Sequence, residues 1–481
     1  MARSVVRSII YNLKAASKNN LNIFLVYWEF ALLFLFPQLS LKYPSLIDDG
    51  YDLLVAQNSS FLGILYNELF INFRTWPVKL LYRKILYSLF GFNVAYHFFV
   101  YSFLLACICF FVFIILKQLN IRQIISWLAG LSIFLLPAVA ASYYRLGTSE
   151  PLQILILLLG IIALIRDWQF TAIILFAINL FVKETSVFYM IIPLAYYVRL
   201  HKKREAILCG VLLCMFSSML IWKQATMHAD YLTKAYFSLD HMVTAFSVSK
   251  ITALCFITLP IWVYLWKVHK NISTRHMMIL IAFIGSVMSV SIWDANLLYY
   301  HLVSQVLCVV YIFITLTVVF NIEQRNAGVV TKTILYIFVI IFPLSIRHTI
   351  SIIKIEHRRY VTQGALVKYI LEHNWNNYSI YSSESEYEPN ENIYNYFIQW
   401  KKYALIPQFF PLDTMRYRYQ TESSIAVNSS QAVQHEFEND TTVHAVLISP
   451  KKLNIFGYQE SPLCGVSPIW GKQCAYYAYK K

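Results

Sequence analysis

The sequence predicts an α-helical polytopic membrane protein of about eleven transmembrane helices, followed by a small C-terminal α/β soluble domain. Three observations carry this expectation. The composition is 58% hydrophobic and 14% charged, with a mean hydropathy of +0.54. A soluble domain carries roughly 25% charged residues. Runs of membrane length recur at 22–41, 93–116, 124–142, 151–165, 170–182, 186–199, 206–222, 251–266, 277–293, 301–320 and 333–350. Beyond residue 350 the chain turns polar with mixed charge.

The basic residues cluster between these runs, so the net charge of +15 is read as topology and nucleic acid is excluded as a partner. Arg3, Arg7, Lys14 and Lys18 precede a first run that is long enough to span and lacks a small-residue cleavage site, so the first helix is expected to be retained. With the N-terminus inside, the inner loops hold Lys117/Arg122, Arg166, Arg199/Lys202/Lys203/Arg204, Lys267/Lys270/Arg275 and Arg325/Lys332. The short outer loops then hold few basic residues, chiefly Arg145 and Lys183. The segments 151–165 and 170–182 are short and can be read as two spans or as a re-entrant hairpin. Either leaves the downstream orientation unchanged. The domain organisation read from this is a cytoplasmic segment 1–20, a membrane domain 21–350 and an exported domain 351–481, with 42–92 as the first outer loop.

Within that loop, residues 61–90 interleave Leu62, Leu65, Leu69, Trp76, Leu80, Leu81, Ile85 and Leu86 with Glu68, Arg74, Lys79, Arg83 and Lys84. This pattern suits helices lying in the outer interface with a basic opposite face, broken near Trp76-Pro77. In the tail, 361–373 has a helical period, while 378–381 and 443–448 read as strands. Six of the eight cysteines lie in apolar runs and read as packing residues; Cys464 and Cys474 can close a short disulfide loop in an oxidising compartment. Asn58, Asn377, Asn428 and Asn439 head Asn-x-Ser/Thr triplets, which matter only in a glycosylating lumen.

On this topology the ionisable residues at span ends gather on the outer side. Asp48, Asp49 and Asp52 follow the first run, and Gly50 lets the backbone turn behind the pair. Arg145 to Glu150 join the third and fourth, Lys183-Glu184 the fifth and sixth, Asp294 and His301 the ninth and tenth, and Arg347-His348 close the eleventh. Carboxylates and cations beside a bilayer are costly to desolvate and are functional candidates. The bland alternatives are a solvated acidic loop and surface ion pairs between Arg145 and Glu150 or Lys183 and Glu184, which contribute little.

The chemistry that suits such a cluster is glycosyl transfer from a polyprenyl-phosphate sugar. Fixed cations stabilise the departing phosphate, a carboxylate takes the acceptor proton, and a single displacement inverts the sugar. The first-loop Asp48-Asp49, the interfacial helices, the segments Arg145-Leu146-Gly147-Thr148-Ser149-Glu150-Pro151 and Lys183-Glu184-Thr185-Ser186, and the exported tail together resemble the GT-C superfamily of integral-membrane glycosyltransferases. That group includes protein O-mannosyltransferases, bacterial aminoarabinose transferases and oligosaccharyltransferase catalytic subunits, and the resemblance covers about residues 20–350.

The resemblance implies that Asp49 or Asp48 is the base or positions a metal. It implies that Arg145, Lys183 and Arg347 hold the lipid phosphate, with Glu150, Glu184, Asp294 and His301 in the substrate site. No cofactor is certain; metal use divides the superfamily, which leaves a divalent cation such as Mg or Mn open. The expected partners are a polyprenyl-phosphate sugar donor, a glycan, glycolipid or protein acceptor, and the bilayer. The expected location is a bacterial inner membrane with the site extracytoplasmic. Alanine at Arg145 or Lys183 is expected to weaken donor use without unfolding the chain. The rival readings are a transporter or flippase, with ionisable groups near the midplane, a polymerase or ligase of lipid-linked glycans, and a scaffold without catalysis.

Overall fold

The structure, a computed structural model, describes residues 20–42, 52–53, 56–57, 59–71, 75–91, 93–227, 238–260, 274–292, 297–323, 345–365, 368, 379–382, 416–418, 445–449 and 458–480. It is mostly helical, with a small sheet at the C-terminal end. The long apolar stretches form α1 (Asn20–Phe34), α4 (Val94–Gln118), α5 (Gln123–Ser132), α6 (Pro137–Tyr143), α7 (Glu150–Ile165), α8 (Gln169–Leu180), α9 (Ile191–Arg199), α10 (Lys203–Met227), α13 (Thr274–Ser291) and α14 (Leu302–Glu323). Between α1 and α4 lie α2 (Phe61–Tyr66) and α3 (Pro77–Phe90); between α10 and α13 lie α11 (Leu239–Val248) and α12 (Lys250–Ile257). A last helix, α15, covers 345–365.

The helices run back and forth between two ends of one apolar core. At the near end, Lys117 donates to Asn20 Oδ1 at 3.4 Å, and Lys202 reaches Asp167 across the α7–α8 and α9–α10 turns. The turn at Asp167 lies beside Gln118 and Thr274, so α7 and α8 form a hairpin that runs from the Glu150–Lys183 level to this end of the core and back. Asn120, Asp167 and His201 each take a left-handed φ near +60° to close these near-end turns (61°, 55° and 56°). At the far end, Gln38 donates to the Tyr144 carbonyl at 3.0 Å, and the C-terminal sheet is docked there.

The expectation of eleven full-length spans is corrected. Among the described residues, 4 helices are long and apolar enough to cross a membrane, or 5 if the bent pair Gln123–Leu135 and Pro137–Tyr143 is one span. The apolar runs are longer than the helices in them because backbone breaks cut them. The first breaks at Leu35, ahead of Phe36-Pro37, before the single turn Phe36–Leu39. The sixth begins as a 3-10 turn, Glu184–Met190, ahead of α9. The run 333–350 lies largely, and the end of 251–266 (261–266), outside the described residues.

The bend of 62° before α6 falls at Pro137, which has no N–H to give and clashes with the preceding turn. In an apolar interior the groups freed by such a break need partners, and neighbouring helices supply them. Gln305 Oε1 accepts from Ala138 N at 3.1 Å, and Ser345 and Thr349 hydroxyls donate to the Leu135 carbonyl at 2.9 and 2.7 Å.

The region 61–90 breaks at Trp76-Pro77 as expected, with Ser60 capping α2 by accepting from Gly63 N at 3.0 Å. The side each face takes departs from the expectation. Glu68, Lys79 and Arg83 are buried against the protein, while Leu62 is 77% and Phe70 57% exposed. The charged face turns inward because Asp52 lies there to meet it, at 3.0 Å from Lys79 and 3.7 Å from Arg83.

The C-terminal sheet has the order β2-β1-β3-β5-β4, with β1 (Ser379–Ser382), β2 (Arg416–Arg418), β3 (Ala445–Ser449), β4 (Gln459–Ser467) and β5 (Gly471–Lys480). The strands β1 and β3 fall where alternation predicts them. A disulfide joins Cys464 to Cys474, which face each other across the β4–β5 hairpin. Gly465 sets the sheet against α15: a Cβ there would stand 2.4 Å from the Val361 carbonyl oxygen. Because the obstructing atom is backbone, Gly465→Ala is expected to force the hairpin off the helix. It should destabilise the sheet's docking by about 1–3 kcal/mol, read as faster protease cleavage of the tail with the helical bundle intact.

Candidate functional site

The far end of the bundle collects charged side chains from loops that are distant in sequence. Glu150 opens α7 and Lys183 follows α8; they form a buried ion pair, with the Lys183 Nζ 4.4 Å from the Tyr300 ring. Next to Lys183, Glu184 turns the other way. Its carboxylate accepts from Thr75 N at 3.1 Å and from the Trp76 indole at 2.5 Å, and Val78 N donates to the Phe181 carbonyl at 3.1 Å. The 181–186 loop thus clasps the start of α3. Glu68 accepts from Trp76 N at 3.1 Å, and Lys223 of α10 donates to the Glu68 carbonyl at 2.5 Å, which closes the ring.

Arg145 makes a two-pronged contact with Glu356 of α15, at 2.9 and 2.8 Å, and Arg359 reaches the same carboxylate at 3.0 Å. Burial alone would lower the Arg145 pKa; the Glu356 carboxylate outweighs it by hydrogen bond and charge, and the guanidinium is raised above its ordinary value. Its Cζ lies 5.2 Å from the Tyr299 ring, and Tyr299 and Tyr300 have ring centroids 4.4 Å apart. Arg145 and Lys183 therefore flank neighbouring tyrosines of one 3-10 turn, Leu298–His301, in which His301 is buried.

The ion pairs differ from those weighed on sequence grounds. Arg145 takes Glu356 and not Glu150, and Lys183 takes Glu150 and not Glu184; the second pair is buried, and in the first a half-buried Arg145 meets a buried Glu356. Arg347 is exposed on the first turns of α15 and makes no ion pair among the described residues. Asp48, Asp49 and Asp294 lie outside the described residues. Asp52, three positions on from Asp49, is held by Lys79 and Arg83. Arg83 also donates to the Tyr101 hydroxyl at 2.5 Å, and that hydroxyl donates to the Leu146 carbonyl at 2.8 Å, one residue from Arg145.

His357 is the residue that sequence reasoning missed. Its Nδ1 is 2.7 Å from Gln38 Oε1 and its Nε2 is 3.0 Å from Ser467 Oγ. The Gln38 amide nitrogen is committed to Tyr144, so Oε1 accepts and the imidazole carries its proton on Nδ1. Ser467 Oγ accepts from Ile469 and Trp470 N–H groups and gives its own proton to Nε2. One neutral ring thereby joins the first helix's extension, the Arg145 loop and the sheet. Burial pushes its pKa down to about 4. The only signal in the sequence was a His one residue from Glu356 past the last apolar run, and it carries no motif.

Chemically the cluster sets carboxylate-paired cations beside aromatic faces, with one positive charge left over where Arg145 and Arg359 share Glu356. Among the described residues no three His, Cys, Asp or Glu side chains come together to hold a metal ion.

Two outcomes follow from this burial. Lys183→Ala, which the sequence treated as harmless to folding, leaves Glu150 buried without its partner. It is expected to destabilise the protein by about 3–5 kcal/mol in thermal melts, much of it recovered by pairing Lys183→Met with Glu150→Gln. The His357 pKa is depressed in the fold from an ordinary value near 6.5, so the stability that the neutral ring contributes is complete above about 6.5 and is lost as pH falls toward 4. The melting midpoint should drop through that window, and the difference between wild type and His357→Gln should shrink with it. No protein-family model matches the chain, and comparison with curated proteins finds no match.

Proposed function

We propose that this protein is an inverting glycosyltransferase of GT-C type, which moves a sugar from a polyprenyl-phosphate donor to an acceptor at the outer face of a membrane. The observation that supports this best is the far-end cluster: Arg145 and Lys183, from two different loops, flank the Tyr299–Tyr300 pair. Beside it lie helices α2 and α3, with apolar side chains open to the surroundings and charged ones turned inward. A lipid-linked donor needs both surfaces at once, an apolar approach for its tail and fixed cations for its phosphate. The orientation proposed is N-inside and C-outside, in a bacterial inner membrane. It is supported by the charge bias of the loops and by the Cys464–Cys474 disulfide, a bond that persists in oxidising compartments.

In the reaction, an acceptor hydroxyl oxygen attacks the sugar C1 from the face opposite the phosphate. Its proton passes to the carboxylate of Asp49 or Asp48. The electron pair of the C1–O bond leaves with the polyprenyl phosphate, and cations held in a partly dry site stabilise the added negative charge. The tyrosine turn lines the space where the donor's polar end sits, with His301 buried behind it. Under the transporter reading, the buried charges belong near the bundle's middle. The buried ion pairs of the described residues lie at its far end; Glu29, midway along α1, is half-buried. That distribution favours the transferase.

The deciding experiment is a transfer assay on Asp49→Asn and Asp48→Asn with polyprenyl-linked sugar and a cell-envelope acceptor extract. Asn keeps the size of the side chain and cannot take the proton. Loss of a positioned base lowers the rate on the order of 100- to 10,000-fold, and one of the two variants is expected to fall by that much while melting as the wild type does. Near-normal turnover in both would remove the catalytic loop from the reading.

A further inference from the structure

The near end of the bundle, opposite the proposed transfer site, encloses a cleft of about 420 Å³. Its polar lining comes from four separate helix ends: Gln118 and Asn120 at the end of α4, Asp167 between α7 and α8, Tyr196 on α9, and Thr274, Arg275 and His276 on α13. The lining is held in place by the turns themselves. Asn120 and Asp167 occupy the left-handed backbone region. The Tyr196 hydroxyl donates to the Leu164 carbonyl at 3.0 Å and reaches Asp167 Oδ1 at 3.4 Å, and Lys202 meets the same oxygen at 3.4 Å. The lining therefore offers a carboxylate, a guanidinium and two carboxamides in one cleft.

The cleft opens where an apolar bundle ends. Nearby side chains stay uncovered by protein, among them Phe170 at 74% and Val198 at 59% exposure. In a membrane protein this is the depth of lipid headgroups, and polar pockets between helices at that depth take them. A purely anionic headgroup would meet Arg275 and then face Asp167. A zwitterion satisfies both.

We propose that this cleft binds the headgroup of an aminophospholipid, its phosphate against Arg275 and its ammonium against Asp167. The proposal rests on the chain being embedded in a membrane and not on the transferase reading, and it is tested by binding alone.

The test uses the full-length protein, delipidated in detergent, with thermal unfolding followed as lipid is added. The probes are dioleoyl phosphatidylethanolamine, phosphatidylcholine and phosphatidylglycerol, with soluble glycerophosphoethanolamine as a fourth arm. Phosphatidylethanolamine is expected to raise the midpoint at the lowest concentration. Arg275→Gln should raise the half-saturating concentration of this lipid about tenfold, the scale of one charge-assisted hydrogen bond. Asp167→Asn should erase the preference for ethanolamine over choline; Asn tolerates the left-handed backbone as Asp does, so the turn survives. Equal shifts from the three lipids, or an ethanolamine preference that both variants retain, would overturn the proposal. An equal shift from glycerophosphoethanolamine would overturn the lipid as ligand in favour of a soluble phosphoester.

Discussion

A charged side chain drawn into an apolar bundle has to find its counter-charge there, because the desolvation it suffers is several kcal/mol per ion. In this protein the counter-charges come from elsewhere in the chain. Lys183 finds Glu150 across 33 positions, Lys79 finds Asp52 across 27, and Arg145 finds Glu356 across 211. Each pair therefore dictates which helix ends must meet. The far end is organised by these obligations, and the helices between serve them by bringing the right loops to the same level.

The same constraint governs the backbone. A break inside a membrane-buried helix exposes N–H and C=O groups with no water to take them. At Pro137 the repair comes from three side chains, Gln305, Ser345 and Thr349, on two other helices. Gln305 is in turn fixed by Ser249 at 2.9 Å, and Ser304 lies 3.2 Å from Thr252. The bend that opens α6, the helix leading to Arg145, is thus pinned from α12, α14 and α15. A rigid bend delivers the Arg145 loop to Glu356 in one position, which matters for any site built on it.

Hydropathy made the helical class, the polar tail and the break at Trp76-Pro77 legible, because each follows from local chemistry. It overstated span number, since an apolar run reads the same whether its helix is continuous or cut at Phe36-Pro37 or Leu136-Pro137. The gathering of Arg145, Glu150, Lys183 and Glu184 at one end was legible from topology. Their partners were not: nothing local to Lys183 says that Glu150 rather than the adjacent Glu184 faces it, a matter of which way a loop turns. The inward basic face of α3 was hidden for the same reason, because amphipathic spacing gives two faces without saying which one meets protein. His357 was out of reach altogether, being defined by Gln38 and Ser467 at opposite ends of the chain.

The pairing of the cations bears on the proposed chemistry. A phosphate arriving beside Lys183 meets Glu150 as well, and attraction and repulsion of comparable size, each about 4 kcal/mol at close range near a protein surface, nearly cancel. At Glu356 the sum is different. Two guanidiniums, Arg145 and Arg359, share one carboxylate, which leaves one positive charge among the three. A polyprenyl-phosphate sugar is a phosphodiester with a single negative charge, and loss of the sugar converts it to a monoester that carries more. A residual positive charge fixed in place before the reaction interacts more strongly with the departing group than with the bound donor, and only such a difference accelerates the step. On the proposed reading, Arg145 acts through the charge that Glu356 leaves uncancelled, while Lys183 chiefly holds Glu150 and the loop beside the tyrosines.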